Sequence, residues 1–194
     1  LMHQGMQTIH RRSKGLLEFV ENYRKLTRLP APVRRPVLLT ELLMDLRKLF
    51  PEEYIHIELP AEERTLQIDR TQIEQVLINL IKNAREACAK CEHPLIEVKV
   101  LPAQSWQCRI TVSDNGEGIL PEVLDKVFVP FFTTKSGGQG IGLSLCKQIM
   151  NRHGGNITVQ SPGGQGSSFT LLFGFKTNRG TLSQRGPVLS DILE

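Results

Sequence analysis

Asp69-Arg-Thr-Gln-Ile-Glu-Gln-Val-Leu-Ile-Asn-Leu-Ile-Lys-Asn-Ala-Arg-Glu-Ala-Cys88 is the stretch that decides the fold class. Its apolar positions Ile73, Val76, Leu77, Leu80, Ile81, Ala84 and Ala87 recur with the 3.6-residue period of an amphipathic helix. Asp69 or Thr71 caps its start, and the helix is predicted to reach about Lys90. The segments on both sides read as strands: Tyr54–Leu59 and Thr65–Asp69 before it, split by a Pro60-Ala-Glu-Glu turn. After it come Leu95–Leu101 and Trp106–Ser113, joined by a hairpin turn at Pro102-Ala-Gln-Ser.

Working outward, Thr40 and Glu41 open a helix to about Phe50, with Leu42, Leu43, Leu46 and Leu49 on one face. Ile141–Arg152 is a helix closed by Gly154-Gly155. Ile157–Gln160 and Ser168–Phe175 form a closing hairpin across Pro162-Gly-Gly-Gln-Gly. Helices and strands interleave, with strand pairs on short turns, so the sequence predicts an α/β two-layer sandwich. Residues 4–28 carry Met6, Ile9, Leu16, Leu17, Val20, Tyr23 and Leu26 at helical spacing. That stripe is too narrow and long for a small domain to cover; a coiled-coil or bundle partner would bury it. Pro30, Pro32 and Pro36 end the helix, and 31–37 is expected to be a linker. Residues 176–194 lose periodicity and read as a loose tail.

Composition narrows the class. With 40% hydrophobic residues and a net charge of +4 over 194 residues, most of the chain is not disordered. No apolar run approaches ~18 residues, which leaves no transmembrane span within the sequence. Residues 1–35 hold eight basic and two acidic side chains, so the positive excess lies on the first helix. Its only aromatics, Phe19 and Tyr23, do not interleave with the basic residues, so this reads as a solvated face rather than a nucleic-acid surface. Cys88-x-x-Cys91 near His93 lacks the second ligand pair of a zinc site and reads as a helix end in a reducing cytoplasm.

Three blocks carry candidate chemistry. Asn79 and Asn83 lie one turn apart on the edge of the helix face, and an amide oxygen suits Mg²⁺ shared with phosphate oxygens; Glu86 follows at i+3. Read alone, they are equally two exposed amides. Asp114-Asn-Gly-Glu-Gly-Ile119 follows a strand: the carboxylate can accept from an exocyclic amine, and Gly116 and Gly118 permit positive φ and close approach to a ligand. The simpler reading is an Asn-Gly turn. Gly137-Gly-Gln-Gly-Ile-Gly-Leu143 precedes a helix, where backbone N–H groups can cradle phosphate, although it matches neither the dinucleotide fingerprint nor Walker A. Between the last two lies Phe128-Val-Pro-Phe-Phe-Thr-Thr-Lys135, whose aromatics either clamp a ligand or dock on another helix.

Taken in order, Asn79-Leu-Ile-Lys-Asn83, Asp114-x-Gly-x-Gly118, Phe128-x-Pro-Phe-Phe-Thr-Thr-Lys135 and Gly138-x-Gly-x-Gly-Leu143 resemble the N, G1, F and G2 boxes of sensor histidine kinases. The resemblance covers roughly residues 37–175. It implies the ATP-binding sandwich of the GHKL superfamily over 38–175, with ATP and Mg²⁺ as cofactors. It also implies roles: Asn83 on Mg²⁺ with Asn79 and Glu86 beside it, Asp114 on the adenine amino group, and Gly116, Gly118 and Ile119 along the base pocket. Gly138, Gly140, Ile141, Gly142 and Leu143 would contact the phosphates, with Phe132, Thr134 and Lys135 from the aromatic segment and Ser167 near adenine. Lys135 would neutralise phosphate charge.

Residues 1–30 resemble the second helix of that family's dimerisation and phosphoacceptor hairpin, which implies a homodimer. No His in a His-Glu/Asp-x-x-x-Pro setting is present; His10 precedes Arg-Arg-Ser and His153 precedes Gly-Gly. The resemblance therefore implies a piece of a longer kinase, with the acceptor His and any membrane anchor outside it. A response-regulator receiver domain is the implied partner, nucleic acid is not, and the implied location is cytoplasmic. Two other readings stay open: a chaperone- or topoisomerase-type ATPase, in which a Glu stands where Asn79 does here, and a nucleotide-binding interaction module.

Overall fold

The computed structural model describes residues 2–101, 107–135, 138–163 and 165–174. The turn expected at 102–105 and the tail expected at 176–194 lie outside them. A long helix, α1 (Met2–Thr27), comes first, then β1 (Arg35–Leu38), α2 (Leu39–Leu49), β2 (Ile55–Ile57), β3 (Thr65–Ile68) and α3 (Arg70–Ala87). β4 (Ile96–Leu101), β5 (Gln107–Asp114), a 3₁₀ turn at Pro121–Lys126, α4 (Gly142–Arg152), β6 (Asn156–Gln160) and β7 (Ser167–Gly174) complete the order.

Five strands form one mixed sheet in the order β2-β4-β5-β7-β6, and β1 pairs with β3 in a separate ribbon. One face of the sheet turns Ile96, Val98, Cys108, Ile110, Val112, Phe169, Leu171 and Phe173 inward. Against them lie Leu42, Leu43 and Leu46 of α2, Ile73, Val76, Leu77, Leu80, Ile81 and Ala84 of α3, and Leu145, Ile149 and Met150 of α4. The two-layer α/β sandwich is present. Leu77 and Leu80 sit at 0% and 1% exposure, so truncating either to Ala should cost about 2–5 kcal/mol.

The β4–β5 and β6–β7 pairs are antiparallel as read from sequence. The two strands before α3 are not a hairpin. β2 pairs parallel with β4 and β3 pairs antiparallel with β1, because the 58–64 connection is long enough for the strands to part. The expected linker is also corrected: Arg35–Leu38 is a strand, and Pro36 fits because a two-stranded ribbon tolerates a missing donor. Asp69 caps α3 through its side chain, accepting from Gln72 N–H. α2 lacks a cap of its own. Instead, Leu39 N–H reaches Arg64 O at 2.9 Å and Thr40 N–H reaches Glu63 Oε1 at 3.3 Å.

The segment after α1 is tied to the sandwich. Arg34 donates to Arg152 O at 2.6 Å, Gln72 to Pro30 O at 3.1 Å, and Val33 N–H to Asp69 Oδ2 at 3.0 Å. His153 completes this junction. Its Nε2 accepts from Asp69 N–H at 3.0 Å and its Nδ1 lies 2.8 Å from Ile149 O, an acceptor only. The ring is therefore the neutral tautomer with its proton on Nδ1.

Candidate functional site

β5 ends at Asp114 directly opposite Ser167 of β7. Asp114 Oδ2 accepts from Ser167 Oγ–H at 2.6 Å and Oδ1 accepts from Gly116 N–H at 2.9 Å. Each carboxylate oxygen keeps acceptor capacity, and the group is aimed by two donors. Ser167, the least expected member of the set, is thus in direct contact with its central residue.

The loop beyond Asp114 folds against the end of α3. A Cβ on Gly116 would meet the Ala87 carbonyl carbon and oxygen at 2.6 Å, so only glycine fits. Glu117 N–H donates to that carbonyl at 3.2 Å. The positive φ that glycine permits occurs at Gly118 (72°) and not at Gly116, which answers to close approach instead. Asn115 turns away from the loop, accepting from Leu95 N–H and donating to His93 O, each at 2.8 Å.

Ser161 was missed by sequence reasoning. Its buried hydroxyl accepts from Ile119 N–H at 2.8 Å and donates to Gly166 O at 2.7 Å, while Gly166 N–H donates to Gly116 O at 2.9 Å. It locks the Asp114–Ile119 loop to the β6–β7 turn. A serine beside a Pro-Gly turn carries no sequence signal beyond the turn itself.

The C-terminal half of α3 carries the amide pair. Asn79 Nδ2 points at Cys146 Sγ of α4, 3.8 Å away, inside the helix pair. Burial pushes that thiol up to about 12. Asn83 is half-buried and its amide forms no hydrogen bond among the described residues. Glu86 is not joined to Asn83; its Oε2 pairs with Lys135 Nζ at 2.5 Å, bridging α3 to the aromatic segment. Lys135 therefore begins from an acidic partner.

The aromatics separate into different roles. Phe128 meets Phe169 edge-on at 6.4 Å, with Lys147 Nζ 5.5 Å from its ring centre. Phe131, at φ 65°, stacks on Phe19 of α1 at 5.1 Å. Phe132 is half-buried, and Thr134 is exposed. Phe131 N–H donates to Gly140 O at 2.8 Å, which ties this segment to the glycine loop. Gly138 is exposed beside Thr133, and Gly140 lies against the Phe131 and Phe132 main chain.

α4 then starts at Gly142 behind buried Ile141, with Leu143 half-buried. No side chain caps it: Ile141 at the cap position has no side-chain acceptor, Ser144 Oγ–H turns back to Ile141 O at 2.8 Å, and the space around Gly142 is open. Its first N–H groups remain available to an anion. Among the described residues, no group of three or more His, Cys, Asp or Glu could hold a metal ion by itself. Likewise, no helix among them is long and apolar enough to cross a membrane.

Residues 68–177 match the family described as histidine kinase-, DNA gyrase B-, and HSP90-like ATPase. The sensor protein FixL of Bradyrhizobium diazoefficiens is 41% identical over 101 residues, 52% of this chain and 20% of that protein. An NtrY-like sensor histidine kinase of Rickettsia conorii is 31% identical over 175 residues, 88% of this chain and 29% of that protein. The chain thus spans less than a third of either relative. Among solved structures, the nucleotide-free catalytic domain of histidine kinase ThkA is 33% identical, with a TM-score of 0.61 over 73% of this chain and 96% of that one. ThkA in complex with response regulator protein TrrA gives 28% identity and a TM-score of 0.67, over 86% of this chain and 49% of that one.

Proposed function

The chain belongs to the histidine kinase-, DNA gyrase B- and HSP90-like ATPase family as an ATP-binding catalytic domain of the sensor histidine kinase type, and from that premise we propose its place in a longer enzyme. That enzyme transfers the γ-phosphoryl group of ATP to a histidine outside this chain, for relay to a response-regulator receiver domain. The observation that carries this reading is Asp114, held between Ser167 and Gly116 at a strand end as a fixed acceptor for the adenine amino group.

The remaining residues fit Mg-ATP. Asn83 offers a half-buried amide with no hydrogen-bond partner among the described residues, and the start of α4 is uncapped beside open space. Bound ATP supplies the transferable phosphoryl group, and Mg²⁺ neutralises triphosphate charge. Around them, Asn83 would take the metal, Gly138, Gly140, Ile141, Gly142 and Leu143 would hold phosphate oxygens, and Gly116, Gly118 and Ile119 would line the base pocket. Phosphoryl transfer needs mainly such positioning and charge stabilisation. Lys135 joins by exchanging Glu86 for phosphate. Asn79 has no basic atom to activate water and faces a sulfur, which favours a kinase over a hydrolytic clamp.

ThkA is known in complex with a response regulator protein, which supports the receiver-domain partner. Homodimerisation through α1 is supported by exposed Leu16, Leu17, Val20 and Tyr23. The test is calorimetry with Mg-ATP followed by incubation with a separately supplied phosphoacceptor hairpin. Tight binding and acid-labile, base-stable phosphate on the hairpin support the reading. Phosphate release without any acceptor overturns it in favour of a hydrolase.

A further inference from the structure

Cys88 and Cys91 sit where α3 ends, and the nucleotide chemistry uses neither. Cys91 N–H donates to Cys88 O at 2.9 Å, closing a four-residue turn. Such a turn brings its end Cα atoms within about 7 Å, near the upper reach of a disulfide. Both sulfurs face one residue: Cys88 Sγ–H donates to Asn115 Oδ1 and Cys91 Sγ–H to Asn115 O, each at 3.5 Å. Asn115 is the link between Asp114 and Gly116. Cys88 is buried and Cys91 half-exposed, whereas Cys108 and Cys146 are fully buried on separate elements.

We propose that Cys88 and Cys91 are a dithiol that hydroperoxides oxidise to a disulfide, loosening the adenine side of the site. The loosening rests on the ATP-binding reading above; the disulfide does not. Cys91 reacts first, since burial and the Asp114 charge push Cys88 up to about 11. The Cys91 thiolate attacks the peroxide: an S–O bond forms, the O–O bond breaks, and the leaving oxygen takes a proton as water or an alcohol. Cys88 then loses its proton, and its sulfur attacks Cys91. The S–S bond forms, the S–O bond breaks, and water leaves. Two thiols are oxidised by two electrons and one hydroperoxide is reduced.

A disulfide has no S–H to donate. Asn115 would lose both sulfur donors and keep its side-chain bonds to Leu95 N–H and His93 O and its main-chain N–H bond to Leu95 O. Gly116 has no slack against Ala87, so a shift at Asn115 passes to the Gly116 N–H that aims Asp114.

The test treats the full chain with hydrogen peroxide, alkylates it, and maps the Cys88–Cys91 peptide by mass. ATP affinity is measured by calorimetry on the reduced, oxidised and dithiothreitol-restored protein, with Cys91→Ser in parallel. The expected result is a Cys88–Cys91 crosslink and a several-fold loss of affinity, reversed by reduction. Cys91→Ser should bind like the reduced parent and ignore peroxide. Both cysteines remaining alkylatable, or oxidation of Cys91 without a crosslink, would overturn the pair. A crosslink with unchanged affinity would overturn the coupling. Failure of the reduced chain to bind ATP would defeat the functional reading, and with it the coupling, while the mass result still decides the disulfide.

Discussion

Asp114 and Ser167 are register partners at the end of the β5–β7 pair, and the Ser167 hydroxyl donates to Asp114 Oδ2 at 2.6 Å. The sheet therefore sets the carboxylate's position and the serine its angle. Asp114→Asn should weaken ATP binding by about 1–3 kcal/mol, the scale of a hydrogen bond to a charged group. Ser167→Ala should cost about 1 kcal/mol, because it frees the carboxylate without removing it. Calorimetry showing both variants equal to the parent would remove Asp114 from the base pocket.

Asn83 is expected to act through the metal alone. Asn83→Ala should leave nucleotide affinity in EDTA unchanged and abolish most of the gain on adding Mg²⁺. A titration in which Mg²⁺ still strengthens binding as in the parent would move the metal elsewhere.

Periodicity made the architecture legible. The apolar spacing of α3 and the two downstream hairpins appear almost where the sequence puts them. Pairing partners did not. β2 lies beside β4, separated in sequence by β3 and α3, and no local turn encodes that choice. The site follows the same division. Asp114 and the glycines stand in short motifs, but Ser161 acts across a hairpin and Glu86 pairs with a lysine 49 residues away. Contacts set by tertiary folding leave no spacing to read.

The Lys135–Glu86 pair is solvent-accessible on both sides, so it should add little to stability. Its consequence is for the ligand. Lys135→Ala should weaken ATP more than ADP, if the ammonium leaves Glu86 for the terminal phosphate. Glu86→Gln should leave ATP binding equal or tighter, and melting temperatures should barely change. Loss of ATP and ADP affinity in equal measure would refute the exchange.

His153 gives the fold a pH dependence. Burial, aided by Arg34, lowers its pKa below the ordinary histidine value of about 6.5. The native state thus binds fewer protons than the unfolded chain as pH falls through this range, so stability must decline with acidification. Protonation would also turn Nε2 from the acceptor of Asp69 N–H into a donor. The loss should begin below about pH 6.5 and grow until the lowered folded-state value is reached. Melting curves between pH 7.5 and 5 should show it, and His153→Gln should flatten the slope while lowering stability at neutral pH. An unchanged slope in the variant would assign the effect to other groups.

Assembly should follow from how α1 divides its apolar side chains. Leu26 is buried against the sandwich and Phe19 is stacked on Phe131, yet Leu16, Val20 and Tyr23 remain 65%, 46% and 53% exposed. Those three stand at i, i+4 and i+7, a single stripe along the helix. A second copy would hide the same stripe on both chains in one isologous contact. Sedimentation should therefore show concentration-dependent dimers, and Leu16→Glu with Val20→Glu should shift the chain to monomer. Both residues are exposed on α1, outside the Asp114 loop and the start of α4, so the double variant should bind ATP like the parent. A strict monomer at high concentration in the parent would defeat the dimer.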